Sequence, residues 1–249
     1  MIRLLIASTA AATLATAAAA QITGERLTYT VGGTGFEAYV ARNADLDATR
    51  GIVVIVHDWD GLTEYEERRA EMLAALGYTA FAVDLYGAEA DPQSVAEYRE
   101  LSGALYADRD LFRQRLTASL EEARGLASDA GIVVIGYCFG GAAVLELGRS
   151  GAETAGFVSF HGGLDLPEGQ DWSAVAAPVL LLHGSADPVS GMEALAATLS
   201  GLTGAGVDHD AVVFGNARHS FTVWGSDDYD LEADLGSWQA LTEFLETRL

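Results

Sequence analysis

The apolar positions of this chain fall into two alternating patterns. Short uninterrupted runs stand at Gly51-Ile52-Val53-Val54-Ile55-Val56, at Tyr78 to Asp84, at Ile132-Val133-Val134-Ile135 and at Ala155 to Phe160, with Pro178 to Leu182 and Val207 to Phe214 after them. Runs of this length, rich in β-branched residues, are strands covered on both faces. Between them the spacing turns helical: Tyr65 to Leu76, closed by Gly77; Leu111 to Leu126, with Phe112, Leu116, Leu120 and Ala123 on one face; the small-faced run Gly140 to Leu147; Gly191 to Leu202; and Leu235 to Leu249. Strand alternating with helix predicts an α/β fold, a mostly parallel central sheet with helices on both faces. Ahead of it, Glu25 to Val31 and Gly35 to Ala41 alternate as a hairpin turning through Gly32-Gly33-Thr34. The stretch from Tyr86 to Asp110 carries no strand; Pro92 to Leu105 reads as a helical excursion over the sheet, placed to form part of a lid or a pocket wall.

The strand Ile132 to Ile135 leads into Gly136-Tyr137-Cys138-Phe139-Gly140-Gly141 and then directly into a helix, which puts Cys138 at a strand-to-helix corner. That is the setting of a nucleophile elbow with cysteine in place of serine. A sharp turn lifts the side chain off the sheet, glycines allow the turn to close, and the helix N-terminus favours negative charge on sulfur. A dinucleotide-binding fingerprint would need glycine where Cys138 stands and an acidic residue ending a second strand about twenty residues on, and neither is present. A small buried thiol with no chemical role is the competing reading.

Composition adds a location. The opening Met-Ile-Arg-Leu-Leu-Ile, followed by alanine and threonine to Ala20, has one positive charge, an apolar stretch and an Ala18-Ala19-Ala20 end, the features of a secretory signal peptide cut before Gln21. The expectation is an exported protein, periplasmic in a Gram-negative source, with residues 21–249 as a single domain. Cys138 is the only cysteine, so no internal disulfide can form. The formal net charge is −22, and every one of the 14 basic residues is arginine. Such a surface repels nucleic acid and anionic membranes, disfavours anionic substrates, and keeps an exported protein soluble. A monomer, with no membrane association after signal cleavage, is expected.

A cysteine elbow needs a base and a group to orient that base, supplied in α/β-hydrolases in the order nucleophile, acid, histidine on later strand ends. Asp187 follows the strand and turn Leu180-Leu181-Leu182-His183-Gly184-Ser185-Ala186, and His219 follows the last strand through Gly215-Asn216-Ala217-Arg218. From the Gly51 strand onward the chain resembles the dienelactone hydrolase family of α/β-hydrolases. The resemblance rests on Gly136 to Gly141, on Gly77-Tyr78 leading to Asp84-Leu85-Tyr86, on His183 to Pro188, and on His219-Ser220-Phe221. It implies an α/β-hydrolase fold and a Cys138, His219, Asp187 triad that hydrolyses an ester or lactone through a thioacyl intermediate. The backbone N–H groups of Phe139 and Trp59 would form the oxyanion hole.

The departures from the family pattern narrow the substrate. Where the family's lactone hydrolases carry a glutamate that contacts the resting thiol, this chain has Asp58, which either keeps that role with a shorter arm or only orders its loop. The two arginines that would hold a substrate carboxylate are absent: their places read Gly87-Ala88-Glu89 and Val223. Arg218 is the nearest substitute, and a buried carboxylate without its partner costs several kcal/mol. Neutral esters or lactones are therefore expected, with Tyr86, Phe221 and Trp224, beside Trp59 and Phe139, as pocket candidates. His57, His161 and His183 each follow an apolar strand, but no ligand spacing supports a metal. No metal and no cofactor are expected. A protein of this fold that has lost catalysis and binds a small ligand or a protein partner is the alternative, favoured by the lost arginines and opposed by the intact triad residues. A redox-responsive thiol is a third reading, opposed by the absence of a resolving cysteine.

Overall fold

The computed structural model describes residues 20–249; the expected signal segment, but for Ala20, lies outside the described residues. Strands β1 (Ile22–Val31) and β2 (Thr34–Asn43) form the hairpin, turning at Gly32-Gly33. The remaining elements follow as β3 (Ile52–Val56), α1 (Glu64–Ala75), β4 (Thr79–Val83), α2 (Val95–Ala107), α3 (Arg109–Leu126), β5 (Ile132–Tyr137), α4 (Phe139–Arg149), β6 (Gly156–Phe160), β7 (Val179–Gly184), α5 (Met192–Ala205), β8 (His209–Phe214) and α6 (Leu231–Arg248). All eight strands join one sheet in the order β1-β2-β4-β3-β5-β6-β7-β8. The hairpin is antiparallel and meets β4 antiparallel; every pairing from β4 to β8 is parallel.

Strand periodicity divides the core. Ile52, Val54 and Val56 face one layer with Phe112, Leu116, Val144, Leu147, Leu195 and Leu202, so α3, α4 and α5 cover that side. Val53 and Ile55 face the other, with Ala70, Leu73, Leu241 and Leu245 of α1 and α6. Covering on both faces is why the strands read as continuous apolar runs rather than alternating ones.

Local signals set the helix limits. Thr63 and Glu66 form a reciprocal capping box at the start of α1, and Gly77, at φ +93°, ends that helix. Helix α6 begins at Leu231 rather than Leu235, because the Asp230 side chain accepts the Ala233 N–H as N-cap. Helix α2 runs Val95–Ala107, from an Ser94 cap, and turns straight into α3 through Asp108.

Candidate active site

The parallel order places the carboxyl ends of β3, β5, β6, β7 and β8 along one edge, and each contributes to the site. At the end of β5, Cys138 has φ 50° and ψ −107°, a strained conformation for a residue with a Cβ. The corner closes only because its neighbours are glycine. A Cβ on Gly136 would stand 2.2 Å from the Gly140 carbonyl oxygen, and one on Gly140 would stand 2.1 Å from that of Val56.

The loop after β8 returns across the strand ends to bring His219 Nε2 within 3.0 Å of Cys138 Sγ. Its Nδ1 lies 2.8 Å from Asp187 Oδ2, in the loop after β7. An Nδ1–H donated to the carboxylate leaves Nε2 free to accept from the thiol. The other oxygen, Asp187 Oδ1, accepts the N–H groups of Val189 at 2.7 Å and Ser190 at 3.0 Å. Burial works to raise the Asp187 carboxyl, but the bond from His219 and these two N–H groups outweigh it and hold it below its ordinary value. Sulfur, imidazole and carboxylate thus form one hydrogen-bonded line.

Asp58 follows β3 and is 7 % exposed. Burial and the nearby Asp60 push its carboxyl up to about 6, against lowering from the Trp59 N–H, from a hydrogen bond with Cys138 and from His219. Burial, and then the charge and hydrogen bond of Asp58, push the Cys138 thiol well up. Asp58 therefore stands close enough to the thiol for its charge to act on it. It does something else as well: its Oδ1 accepts the Trp59 backbone N–H, one of the two expected oxyanion donors. The second donor, the Phe139 N–H, faces the sulfur and favours its charged form.

The Asp58-Trp59 loop is held on several sides. The Glu66 carboxylate, fully buried, accepts the Asp58 N–H at 3.3 Å and the Thr63 N–H at 2.9 Å. Tyr86 donates its hydroxyl to the Trp59 carbonyl at 2.8 Å. The Trp59 ring packs on Tyr98 of α2 at 5.7 Å. Tyr86 and Tyr106 both lie close enough to Cys138 and Asp58 for those charges to add to the upward push that burial gives their phenols. Tyr106 also meets the Phe139 ring edge-on at 5.4 Å. A cavity of about 330 Å³, lined in part by Asp60, Tyr86 and Tyr98, adjoins this loop.

Two expected pocket residues lie elsewhere. Phe221 is fully buried, packed on His161 at 5.1 Å and Phe214 at 5.3 Å, and is core rather than pocket wall. Trp224 is 41 % exposed, but its ring lies over Arg69 at 4.3 Å and its indole N–H donates to Asp234, on the α1 side of the sheet. Arg218 is tied to Asp228 at 2.6 Å. The residues missing from the sequence reading are Tyr98 and Tyr106; Tyr98, Leu101 and Leu105, spaced i, i+3, i+7, were the available sign that α2 turns one face inward.

The strand-end histidines make local bonds. His57 Nε2 accepts the Leu85 N–H at 3.1 Å, so its Nδ1–H donates to the Asp58 carbonyl. His183 Nε2 lies 2.7 Å from the Ser190 carbonyl. His161 Nδ1 accepts from the Cys138 N–H at 3.2 Å, and its Nε2 lies 2.8 Å from the Thr222 hydroxyl. Among the described residues no cluster of side chains has the makings of a metal site.

A nucleophile-type elbow on this sheet, with acid and histidine on later strand ends, defines the α/β-hydrolase fold. A dienelactone hydrolase of Anabaena variabilis shares that fold, with a TM-score of 0.71 at 20% identity over 92% of this chain and 99% of its own. The chain belongs to the dienelactone hydrolase family, whose sequence profile matches residues 36–249. It is accordingly a hydrolase. It is 31% identical, with a TM-score of 0.84, to a dienelactone hydrolase-like promiscuous phosphotriesterase from metagenomic libraries, over 91% of this chain and 98% of that one. A protein of Escherichia coli O157:H7 that carries the provisional name carboxymethylenebutenolidase is 25% identical over 227 residues, 86% of this chain and 83% of its own length.

Proposed function

We propose that this is an exported hydrolase of neutral esters or lactones in which Cys138 is the nucleophile and Asp187 and His219 complete a catalytic triad. The observation that carries the reading is the line from Cys138 Sγ through His219, at 3.0 Å, to Asp187, at 2.8 Å, set on a strained elbow. His219 Nε2 takes the thiol proton as sulfur attacks the carbonyl carbon. The carbonyl electron pair moves onto oxygen, where the Phe139 and Trp59 N–H groups receive it. Collapse expels the alkoxide, which takes its proton from His219 and leaves a thioester. Water, giving a proton to His219, then attacks the thioester; the acid departs and the thiol is restored. Asp187 stabilises the imidazolium at both stages.

Because Asp58 occupies the Trp59 N–H, an entering carbonyl oxygen has to displace it. Displacement removes the charge that holds the thiol protonated, so nucleophile activation and oxyanion-hole assembly become one event. The absence of the two carboxylate-binding arginines, with Arg218 committed to Asp228, supports neutral substrates. Likeness to the promiscuous phosphotriesterase makes neutral phosphotriesters a second substrate class to assay. The alanine-rich apolar stretch up to Ala20 supports export. The test is hydrolysis of short p-nitrophenyl esters by wild type, Cys138→Ala and Cys138→Ser, with mass spectrometry of the acylated thiol. Turnover in wild type that falls to background in Cys138→Ala is expected. Equal activity in the two would remove the cysteine from the mechanism, and inactivity in both across esters and lactones would favour the ligand-binding alternative.

A further inference from the structure

Cys138 and His219 reach the site from strands that are not neighbours. Cys138 ends β5, His219 follows β8, and β6 and β7 stand between them in the sheet. The loop from Gly215 to Asp230 that carries His219 contains no helix or strand, so the 3.0 Å contact with sulfur depends on what anchors that loop from beneath. His161, at the end of β6, occupies the gap. It is fully buried, has the uncommon φ of +38°, and packs its ring against His219 at 5.5 Å and Phe221 at 5.1 Å. Burial, and then the neighbouring His219, hold it well below the ordinary histidine range, so the ring is neutral with one donor and one acceptor. The acceptor, Nδ1, meets the backbone N–H of Cys138, which it shares with the Phe160 carbonyl. The donor, Nε2–H, meets Thr222 Oγ1, three residues beyond His219. A protonated ring could not accept from Cys138, and the opposite tautomer would set two donors against each other.

We propose that His161 is a positioning residue: a neutral imidazole strut between the nucleophile's own backbone N–H and the Thr222 hydroxyl, which fixes the separation of Cys138 Sγ and His219 Nε2. The inference rests on Cys138 being the nucleophile. The strut touches neither substrate nor reacting atoms; it acts through the geometry of the pair that does. A displacement of about 1 Å at such a pair costs up to about a hundredfold in rate. A merely structural histidine would instead register in stability alone.

The experiment measures single-turnover acylation by a p-nitrophenyl ester, with KM and thermal midpoint, for wild type, Cys138→Ala, Thr222→Val, Thr222→Ser, His161→Phe and the His161→Phe, Thr222→Val pair. Thr222→Val keeps the side-chain shape and removes the hydroxyl; Thr222→Ser restores it. Expected are acylation rates down roughly ten- to a hundredfold in Thr222→Val and His161→Phe, with KM little changed. Recovery in Thr222→Ser, and a double variant no slower than the slower single, are expected with them. If His161→Phe fails to fold, the Thr222 pair decides. Wild-type acylation rates in folded Thr222→Val overturn the strut while leaving the nucleophile in place, and so does a loss that Thr222→Ser does not recover. A wild type that acylates no better than Cys138→Ala overturns the nucleophile reading and the strut with it.

Discussion

Asp58 faces two groups at once, the Cys138 thiol that its charge, after burial, pushes up and the Trp59 N–H that it accepts. Asp58→Asn removes the charge while keeping the shape, so the thiol titrates at lower pH, and the pH profile of Cys138 alkylation by iodoacetamide should move in that direction. Glu66, which supports the same loop, has its carboxyl pushed up to about 8 by burial and by Asp60, from an ordinary 4.5. Its folded form therefore favours the proton: that contribution to stability is complete below about 4.5 and is lost as pH rises through about 8. Asp187, held low, contributes stability that is lost only as pH falls below its ordinary 3.8, and so stays constant across this window. Wild-type denaturation midpoints should fall from pH 6.5 to 8.5, and Glu66→Gln should flatten that slope. At this scale the sequence pointed to three candidate residues that the fold does bring together, and concealed their surroundings. Cys138, Asp187 and His219 were legible because chemistry demands an order along the chain and a place at strand ends. Phe221 and Trp224 were misassigned because an aromatic residue near a catalytic histidine serves the core as readily as a pocket, and spacing in a loop does not say which way a ring turns.

The elements were legible almost throughout, since runs covered on both faces and helical stripes leave different periods. What the pattern left open was how the strandless excursion attaches. Helix α2 rests on the Asp58-Trp59 loop through Tyr98, and where the excursion ends a buried charge cluster holds the chain: Glu146 of α4, fully buried, pairs with Arg113 at 2.7 Å, Arg109 at 3.1 Å and Arg149 at 3.0 Å, joining the start of α3 to α4. Burial works to raise the Glu146 carboxyl, but the arginines and Gln170 prevail and hold it low. Its sequence position, one acid three residues ahead of Arg149 on a helix of small and apolar residues, gave no sign of the two further cations arriving from α3. Glu146→Ala leaves the buried Arg149 uncompensated and should cost about 3–5 kcal/mol in urea denaturation, the range for removing one partner of a buried pair. Gly140→Ala, whose methyl would meet the Val56 carbonyl, should abolish Cys138-dependent turnover, read in the ester assay.

Across the whole molecule the charge of −22 acts on anything that approaches. Anionic esters should be slowed by a field that neutral esters do not feel. Raising salt from about 10 to 200 mM, which shortens the screening length severalfold, should raise kcat/KM for a carboxylated ester and leave that for its neutral analogue nearly unchanged. The interior holds an opposite kind of charge. Arg69 of α1, 2 % exposed, is ringed by Tyr65, Trp224 and Trp238, pairs with Asp234 of α6 at 2.5 Å, and donates to the Thr222 carbonyl at 3.0 Å. Its only carboxylate among the described residues thus comes from the last helix of the chain. During synthesis Arg69 emerges long before Asp234, and until then a cation destined for the interior has no counterion. The His219 loop, which Arg69 helps seat through Thr222, therefore gains this anchor only once α6 has docked and brought Asp234 to the guanidinium.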